Sequence, residues 1–310
     1  MPTHIQTSDF HVTLIGSGTL GTLVAEALVN LGYDLTCIIS RTLASAKRLA
    51  NTHGIRSCTN SVSEIPHNTN LILVAVTDNA IATIAREISE LQLNFNQLTA
   101  VHFSGTLSSD VFEPLMRKGA IGISLHPFQT FPRSKGPNPN HKHLFNCYFG
   151  LQSSEIEGLE IGKKLAHDLG GKVILVPKEA KTMYHIAAVM TSNYLVTLTS
   201  LAAEVFSALG LNHKDAFKVF EPIMQTALTN MRSASDLSES LTGPIERGDA
   251  EILRRHISEL SEQMPHLIPI YATLGMETVR VAIHKGSIDP AEAGKLLGLL
   301  EEAARRESET

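Results

Sequence analysis

The chain has 310 residues, of which 43% are hydrophobic and 18% are charged, as in an ordinary soluble globular protein. This length predicts two domains, since a single hydrophobic core stops growing near roughly 250–300 residues. The formal net charge of −5 and the absence of a domain-wide basic excess argue against nucleic acid as a partner.

No segment of the sequence suggests a membrane or secreted protein. No apolar run approaches the roughly 20 residues that cross a bilayer, and the first residues lack the basic and apolar regions of a secretion signal. Cys37, Cys58 and Cys147 are isolated, which fits a reducing compartment and argues against a disulfide scaffold or a zinc site. We therefore expect a cytoplasmic protein without a membrane partner.

Short apolar runs alternate with helical patterns over the first 176 residues. Because most of these runs do not alternate polar and apolar residues, they are typical of strands buried on both faces of a parallel sheet. Helical patterns at 43–54 and 154–171 lie between them, so repeated βα units predict a doubly wound α/β sheet. The predicted strands are 11–16, 35–40, 71–76, 99–104, 120–125, 147–151 and 172–176.

The strand signals stop after Pro177, and the rest of the chain reads as helices. A long helix ends at Gly210, a natural C′ glycine. Asp289-Pro290-Ala291-Glu292 resembles a capping box at the start of the last helix. The sequence thus predicts a sheet domain of residues 1–176 and an all-α domain of residues 177–310.

A complete GxGxxG motif follows the first predicted strand and opens a helix, which is the context that a dinucleotide site requires. The first glycine permits a tight turn, the second lets the backbone approach a pyrophosphate, and the third lets the helix pack on the strand. The free N–H groups of the helix N-terminus then face the anion. The motif predicts a Rossmann domain, with the pyrophosphate on Gly16, Ser17, Gly18, Thr19, Leu20 and Gly21.

The end of the second predicted strand indicates which dinucleotide binds. An NAD site places an acidic residue about 20 residues after the last glycine, to bind the ribose 2′-hydroxyl. Ser40, Arg41 and Thr42 stand there instead, and Arg41 can pair with a 2′-phosphate while its neighbours donate to it. The hypothesis is an NADP(H) cofactor; the alternative is that Arg41 is a solvated surface residue.

Val76, Thr77 and Asp78 end another predicted strand and begin a helix. Strand carboxyl ends line the ligand crevice of an open α/β sheet, so these residues are expected to flank the cofactor. The alternative for Asp78 is that it only caps its helix.

The start of the long helix offers one set of catalytic candidates. Lys181 and His185 are four residues apart and share a helix face. Ala188 and Ser192 continue that face and Asn193 lies beside it, so we expect Ser192 and Asn193 to bind substrate. Lys181 can polarise or protonate a carbonyl or imine, and His185 can orient it or carry the proton. The alternative is an exposed helix end with solvated side chains.

Ser104 and His126 form a second set, since both follow predicted strands. A histidine titrates near pH 6.5 and can serve as acid or base at neutral pH. The alternative is a histidine that caps a buried turn fixed by Pro127.

Two further patterns concern ligands. Arg247, in "TGPIERGD" (242–249), is expected to meet an anionic substrate group. His141 and His143 suggest a metal, but two loop histidines without a nearby carboxylate or cysteine are weak evidence, so we predict no metal site.

Several segments together resemble one protein family: the glycine motif, Ser40-Arg41-Thr42, "HFSG" (102–105), "LHPFQTF" (125–131), "KTMYHIAAVMTSNY" (181–194) and "TGPIERGD". Over nearly its whole length the chain is similar to Rossmann-like oxidoreductases with a helical C-terminal domain of unknown function, often labelled deazaflavin-dependent NADP oxidoreductase-like. The resemblance implies a Rossmann domain followed by an all-α domain.

The layout more distantly resembles the superfamily of 6-phosphogluconate, hydroxyisobutyrate and prephenate dehydrogenases, ketopantoate reductase and pyrroline-carboxylate reductase. Its hydroxyacid members carry Lys-x-x-x-Asn on this helix; Lys181 matches the lysine, and His185 replaces the asparagine. Ser104 and His126-Pro127 resemble the pocket Ser and His-Pro of prephenate members. The superfamily also implies a dimerising helical domain and an active site between the domains.

These observations predict an NADP(H)-dependent oxidoreductase that transfers hydride to or from a small carbonyl, imine or hydroxy-acid substrate. We expect a homodimer formed through the helical domain. Two alternatives stay open: a non-catalytic dinucleotide-binding sensor or scaffold, and a deazaflavin-linked NADP reductase.

Overall fold

The computed structural model describes residues 6–131, 144 and 146–308 of the chain. Strands β1 to β8 form one sheet in the order β3-β2-β1-β4-β5-β6-β7-β8. All neighbouring pairs are parallel except β6 and β7, which are antiparallel. The strands are β1 His11–Ile15, β2 Asp34–Ile39, β3 Ser57–Thr59, β4 Leu71–Val74, β5 Thr99–His102, β6 Ile121–Pro127, β7 Tyr148–Gln152 and β8 Lys172–Leu175.

Helices cover both faces of this sheet, which confirms the predicted doubly wound α/β class. One face packs against α1, α2 and α5, and the other against α3 and the short α4, each through its own apolar cluster. These helices are α1 Thr19–Asn30, α2 Leu43–His53, α3 Asp78–Ser89, α4 Glu113–Met116 and α5 Ile156–Asp168.

Two features of the sheet differ from the sequence prediction. β3 was not predicted, because its three residues, Ser-Cys-Thr, are too few and too polar to read as an apolar run. β7 runs against β6, and β8 returns parallel to β7 after α5. The apolar sequence of β7 predicts burial on both faces but not the direction of its neighbour.

The rest of the described chain is helical, as predicted. It comprises α6 Lys181–Ala188, a π-helical segment Val189–Asn193, α7 Tyr194–Ser207, α8 His213–Ser233, α9 Ala250–Gln263, α10 Ile268–Lys285 and α11 Pro290–Ser308. The predicted capping box is present: Asp289 Oδ1 accepts from the Ala291 and Glu292 backbone N–H groups, and Glu292 accepts from the Asp289 N–H. Gly210 has a φ of 76°, as a C′ glycine should.

Packing divides the chain into two compact units, Met1–Asn193 and Tyr194–Thr310, rather than at the predicted position after residue 176. The difference arises because Lys181 and Tyr184, in the first turns of the long helix, bond to groups on β6 and on the loop after β5. The second unit has its own apolar core, formed mainly by α9, α10 and α11.

The helical stretch Lys178–Ser207 is long and apolar enough to cross a membrane. Its most apolar 18 residues have a mean hydropathy of 1.4, and 6% of them are buried. The sequence expectation that no such stretch exists is therefore wrong. Its first half, however, carries Lys181, whose ammonium is buried and bonded within the first unit. A single helix that passes this test is weak evidence for a span, and this one contributes to a folded unit.

Candidate active site

The glycine motif forms the tight turn that its sequence predicts. Gly16 has a φ of +114°, and a Cβ there would lie 2.1 Å from the Ala75 carbonyl oxygen. A Cβ on Gly21 would lie 2.1 Å from the Gly16 carbonyl oxygen, so the helix could not approach the strand. A Cβ on Gly18 would meet no atom within 4 Å. The space beside Gly18, at the N-terminus of α1, is therefore open to an anion.

A cavity of about 850 Å³ lies at these strand ends. Ten of the predicted cofactor residues line it: Gly16, Ser17, Gly18, Thr19, Leu20, Ser40, Arg41, Thr42, Val76 and Thr77. The hydroxyls of Ser17 and Ser40 are 2.6 Å apart and join the glycine loop to the end of β2. Gly21 lies behind the lining, where it fixes the packing of α1.

The end of β2 presents a cation to this cavity. Arg41 is exposed, and no described residue forms an ion pair with it. Thr42 caps α2 by accepting a hydrogen bond from the Ser45 backbone N–H. No acidic residue occurs among the described lining residues, so none is present there to bind a ribose 2′-hydroxyl.

Asp78 is hydrogen-bonded to the loop after β5. It is the first residue of α3, after the N-cap Thr77, and it is not among the residues that line the cavity. Its Oδ2 accepts from the Ser104 hydroxyl at 2.7 Å and from the Thr106 hydroxyl at 2.9 Å. Asp78 thus ties the loop after β4 to the loop after β5.

Ser104, a predicted catalytic residue, has its hydroxyl fully used by the protein. The hydroxyl donates to Asp78 and accepts from the Thr106 and Leu107 backbone N–H groups at 3.2 Å and 3.1 Å. A hydroxyl has one proton and two lone pairs, so none is left for a substrate. This geometry assigns Ser104 the shaping of its loop.

Lys181 is buried, with 1% of its surface exposed. Its ammonium donates to the Ser124 hydroxyl at 2.7 Å and to the Ser104 carbonyl oxygen at 3.2 Å. Burial lowers the lysine pKa to about 8, while the Asp78 carboxylate acts in the opposite direction. Lys181 is not among the residues that line the cavity of about 850 Å³ or the smaller cavity beside α6.

His126, at the end of β6, is bonded to Tyr184 of α6. Its Nδ1 lies 3.0 Å from the Tyr184 hydroxyl, which also donates to the His126 carbonyl oxygen at 3.3 Å. Burial lowers the pKa of His126 to about 3, with further lowering from the nearby Lys181 charge. The imidazole is therefore neutral at physiological pH.

Tyr184 reaches His126 across a glycine. A Cβ on Gly150 of β7 would lie 2.6 Å from the Tyr184 hydroxyl oxygen. Sequence reasoning missed both residues. The signal was available in Tyr184, which follows Lys181 at i+3, and in a glycine within an otherwise apolar strand, which marks close approach by another group.

His185 stands beside His126, with ring centroids 5.8 Å apart and the rings nearly perpendicular. Its Nδ1 is buried and has no hydrogen-bond partner among the described residues. A Cβ on Gly105 would lie 2.3 Å from that Nδ1 and 3.1 Å from His126 Nε2. Gly105 therefore lets both imidazoles approach the loop after β5.

The two histidines line a cavity of about 300 Å³ in the first unit. The predicted substrate residues Ser192 and Asn193 line it too, as do Ala188 and Phe128. A π-helical segment carries Ser192 and Asn193; such segments are frequent at functional sites. The predicted polar face of the long helix thus meets one cavity, although Lys181 itself lies behind it.

The remaining residues singled out from the sequence are Arg247 and two loop histidines. Arg247 is an exposed residue of the second unit, where its backbone N–H donates to the Gly243 carbonyl oxygen. His141 and His143 lie outside the described residues. Within the described part of the chain, no group of three or more His, Cys, Asp or Glu side chains could hold a metal ion.

Comparisons with known proteins agree with this architecture. A profile of the Rossmann-like domain matches residues 1–127, and a profile of the domain of unknown function DUF2520 matches residues 147–278. No curated protein matches the chain. The second profile begins just before β7, so it includes part of the sheet as well as helices.

Solved structures share the fold over most of the chain. BF3122 from Bacteroides fragilis, provisionally described as an NADP oxidoreductase, is 25% identical, with 89% of this chain and 100% of that chain covered and a TM-score of 0.72. Protein TM1727 from Thermotoga maritima is 27% identical, with coverage of 96% and 99% and a TM-score of 0.62. A pyrroline-5-carboxylate reductase from Coxiella burnetii is 15% identical, with coverage of 98% of each chain and a TM-score of 0.57, which shows a shared fold. The chain therefore combines a segment that matches the Rossmann-like domain with a following segment that matches DUF2520.

Proposed function

We propose that the protein is an NADP(H)-dependent oxidoreductase. The observation that best supports this is the cavity of about 850 Å³, which joins the glycine loop to Arg41 and has no acidic residue among its described lining residues. A pyrophosphate fits the open space beside Gly18, and Arg41 suits a 2′-phosphate. The similarity to BF3122 supports the same cofactor class.

The histidine cavity suits a small substrate. A bound nicotinamide dinucleotide would supply the hydride donor or acceptor. The chain would orient a small carbonyl, imine or hydroxyl compound and move one proton at His126 Nε2. In the oxidative direction the proton would pass from the substrate to this nitrogen.

Lys181 would act as a positioning residue. Its buried ammonium holds the Ser104 carbonyl and the Ser124 hydroxyl, and so sets the loop that carries Gly105 under the histidines. His185 and Ser192 would contact the substrate directly. Arg247 would hold an acidic group if the substrate has one.

We also propose a cytoplasmic homodimer formed through the helical domain. Apolar side chains of α7 and α8 line a groove of about 430 Å³ in the second unit, among them Leu195, Val196 and Phe217. Val196 is 66% exposed and Ile223 is 70% exposed. A second copy of the chain would remove this apolar surface from water.

The cofactor assignment is tested by titrating the full chain with NADPH and NADH and following nicotinamide fluorescence. NADPH should bind more tightly, and Arg41→Ala should reduce that preference by about 10–100-fold, the range for a lost phosphate contact. Arg48→Ala is the matched control, because Arg48 is exposed on α2 and is not among the lining residues. Tighter binding of NADH by the unmodified chain would overturn the assignment.

The enzymatic assignment is tested by NADPH oxidation and NADP⁺ reduction with a panel of small carbonyl, imine and hydroxyl compounds. Turnover should be found, and it should fall in His126→Gln while NADPH affinity is kept. Binding without turnover across the panel would instead favour a dinucleotide sensor. Reduction of a deazaflavin alone would favour the deazaflavin-linked reductase.

A further inference from the structure

The buried nitrogen of His185 indicates where this imidazole carries its proton. Nδ1 is buried against the Cα of Gly105, and the part of the chain that the structure describes offers it neither a donor nor an acceptor. A buried N–H without an acceptor is costly, whereas a lone pair can face a glycine Cα–H at little cost. The proton of a neutral His185 therefore belongs on Nε2, and the residue itself lines the cavity of about 300 Å³.

His126 has the opposite arrangement, because Tyr184 contacts two of its atoms. The Tyr184 hydroxyl has one proton, and it donates to the His126 carbonyl oxygen, which can only accept. The phenol oxygen then accepts from His126 Nδ1, which lies 3.0 Å away. Both contacts are satisfied only when Nδ1 carries the imidazole proton, and Nε2 is left with its lone pair.

Both rings lie against Gly105. Their centroids are 5.8 Å apart, and a Cβ on that glycine would lie within 3.1 Å of a nitrogen of each ring. We propose that His126 and His185 hold opposite tautomers and together bind one uncharged substrate hydroxyl; this inference rests on the proposed function. His185 Nε2–H donates to the hydroxyl oxygen, and His126 Nε2 accepts its proton. Tyr184 is the positioning residue that sets the His126 tautomer.

This pair selects a class of substrate. An alcohol donates and accepts at the same oxygen, and so satisfies both imidazoles. A protonated amine has no lone pair for His185, and a carboxylate has no proton for His126. On oxidation the O–H proton would move to His126 Nε2, and a nicotinamide dinucleotide would supply the acceptor for the hydride from the carbon. The new carbonyl oxygen then accepts from His185 Nε2–H.

The tautomers can be measured without any turnover, so this test is independent of the proposed reaction. We would record imidazole ¹⁵N spectra of the full chain labelled at histidine, with His126→Gln and His185→Gln used to assign the signals. The expected result is a protonated Nδ1 in His126 and a protonated Nε2 in His185. Tyr184→Phe should change the His126 pattern and leave that of His185 unchanged. Identical tautomers in the two rings, or two charged rings at neutral pH, would overturn the pair.

The substrate class is tested in the same spectra with three probes that share one ring: cyclohexanol, cyclohexylamine and cyclohexanecarboxylate, each added with NADP⁺. Cyclohexanol should shift the Nε2 signals of both histidines, and the other two should shift them at least about tenfold less at equal concentration. No shift with cyclohexanol up to its solubility limit, or a stronger response to the amine or carboxylate, would contradict the hydroxyl assignment even if the tautomers are as expected.

Discussion

Lys181 Nζ lies 2.7 Å from Ser124 Oγ and 3.2 Å from the Ser104 carbonyl oxygen, so one ammonium ties α6 to β6 and to the loop after β5. The same loop is held from the other side by Asp78, which accepts from the Ser104 hydroxyl. The histidine cavity thus rests on a buried polar network within the first unit. Such networks are costly to leave partly satisfied.

Replacing Lys181 by alanine should therefore cost both stability and activity. The Ser104 carbonyl and the Ser124 hydroxyl would lose a buried partner, at about 1–3 kcal/mol each. Turnover should be abolished, while NADPH affinity should stay nearly intact because Lys181 is not among the residues lining the larger cavity. Urea unfolding and NADPH titration measure the two effects.

Lys178→Ala is the matched control for that variant. Lys178 lies three residues earlier and is 54% exposed in a 3.4 Å ion pair with Asp110; an exposed pair contributes about 0–1 kcal/mol. Equal losses in both variants, or normal turnover in Lys181→Ala, would contradict the positioning role.

The second and third glycines of the motif should respond differently to alanine. Gly18→Ala meets no protein atom within 4 Å, so unfolding free energy should change by less than about 1 kcal/mol. NADPH affinity should nevertheless fall by at least about tenfold, because the new methyl group occupies the pyrophosphate position. Gly21→Ala would place a methyl group 2.1 Å from the Gly16 carbonyl oxygen and should destabilise the fold by about 1–3 kcal/mol. Unchanged NADPH binding by Gly18→Ala would contradict the placement of the pyrophosphate at this loop.

The sequence predicted the parts of the site that depend on local pattern. The glycine spacing after a buried strand was enough to predict the turn at Gly16, since only glycine tolerates a φ of +114° beside the Ala75 carbonyl. The helical spacing from Lys181 to His185, Ala188 and Ser192 predicted a shared face, and the last three of these residues line one cavity.

The sequence could not predict which polar atoms form hydrogen bonds between segments that are far apart along the chain. The Ser104 hydroxyl has no free donor because it donates its hydrogen bond to Asp78, 26 residues earlier. Lys181 is buried because Ser124 lies 57 residues away in sequence but within hydrogen-bond distance. Such facts follow from the order of strands in the sheet, which periodicity does not encode.

His102 should make stability depend on pH. It is fully buried, and its Nδ1 accepts from the Ser104 N–H while its Nε2 bonds to the Ser108 carbonyl oxygen. Burial lowers its pKa from 6.5 to about 4, so between these values the unfolded chain binds more protons than the folded one. Stability is thus fully present above pH 6.5 and is lost as pH falls towards 4. This residue alone should lower the free energy of unfolding by about 2 kcal/mol between pH 7 and pH 5.

The measurement for His102 is urea unfolding at pH 7 and at pH 5, with His102→Gln compared against the unmodified chain. The variant should be less stable at pH 7 and should lose about 2 kcal/mol less on acidification. His53→Gln serves as the control for the loss of a histidine, since His53 lies at the end of α2 and makes neither of the His102 contacts. Equal pH dependence of His102→Gln and the unmodified chain would contradict a buried neutral imidazole.

Gly150→Ala tests the contact that places Tyr184. The added Cβ would lie 2.6 Å from the Tyr184 ring and hydroxyl, so the side chain must move away from His126. We expect a loss of about 1–3 kcal/mol in unfolding free energy. Gly150→Ala combined with Tyr184→Ala should cost less than the sum of the single changes, because the clash and the contact involve the same atoms. Additive costs in this double-mutant cycle would indicate that Gly150 is needed for another reason.

The exposed apolar face of the second unit should control association. Val196 lies on α7 in the apolar groove and is 66% exposed, so Val196→Glu would place a charge where a second copy is proposed to pack. The unmodified chain should elute as a dimer in light-scattering chromatography, and Val196→Glu should shift it to a monomer. Ile156→Glu is the matched control: Ile156 is 82% exposed at the start of α5 in the first unit, so this change should leave the dimer intact. A monomeric unmodified chain would refute the homodimer, and a monomer that becomes soluble only with detergent would point to a lipid surface as the occupant of this face.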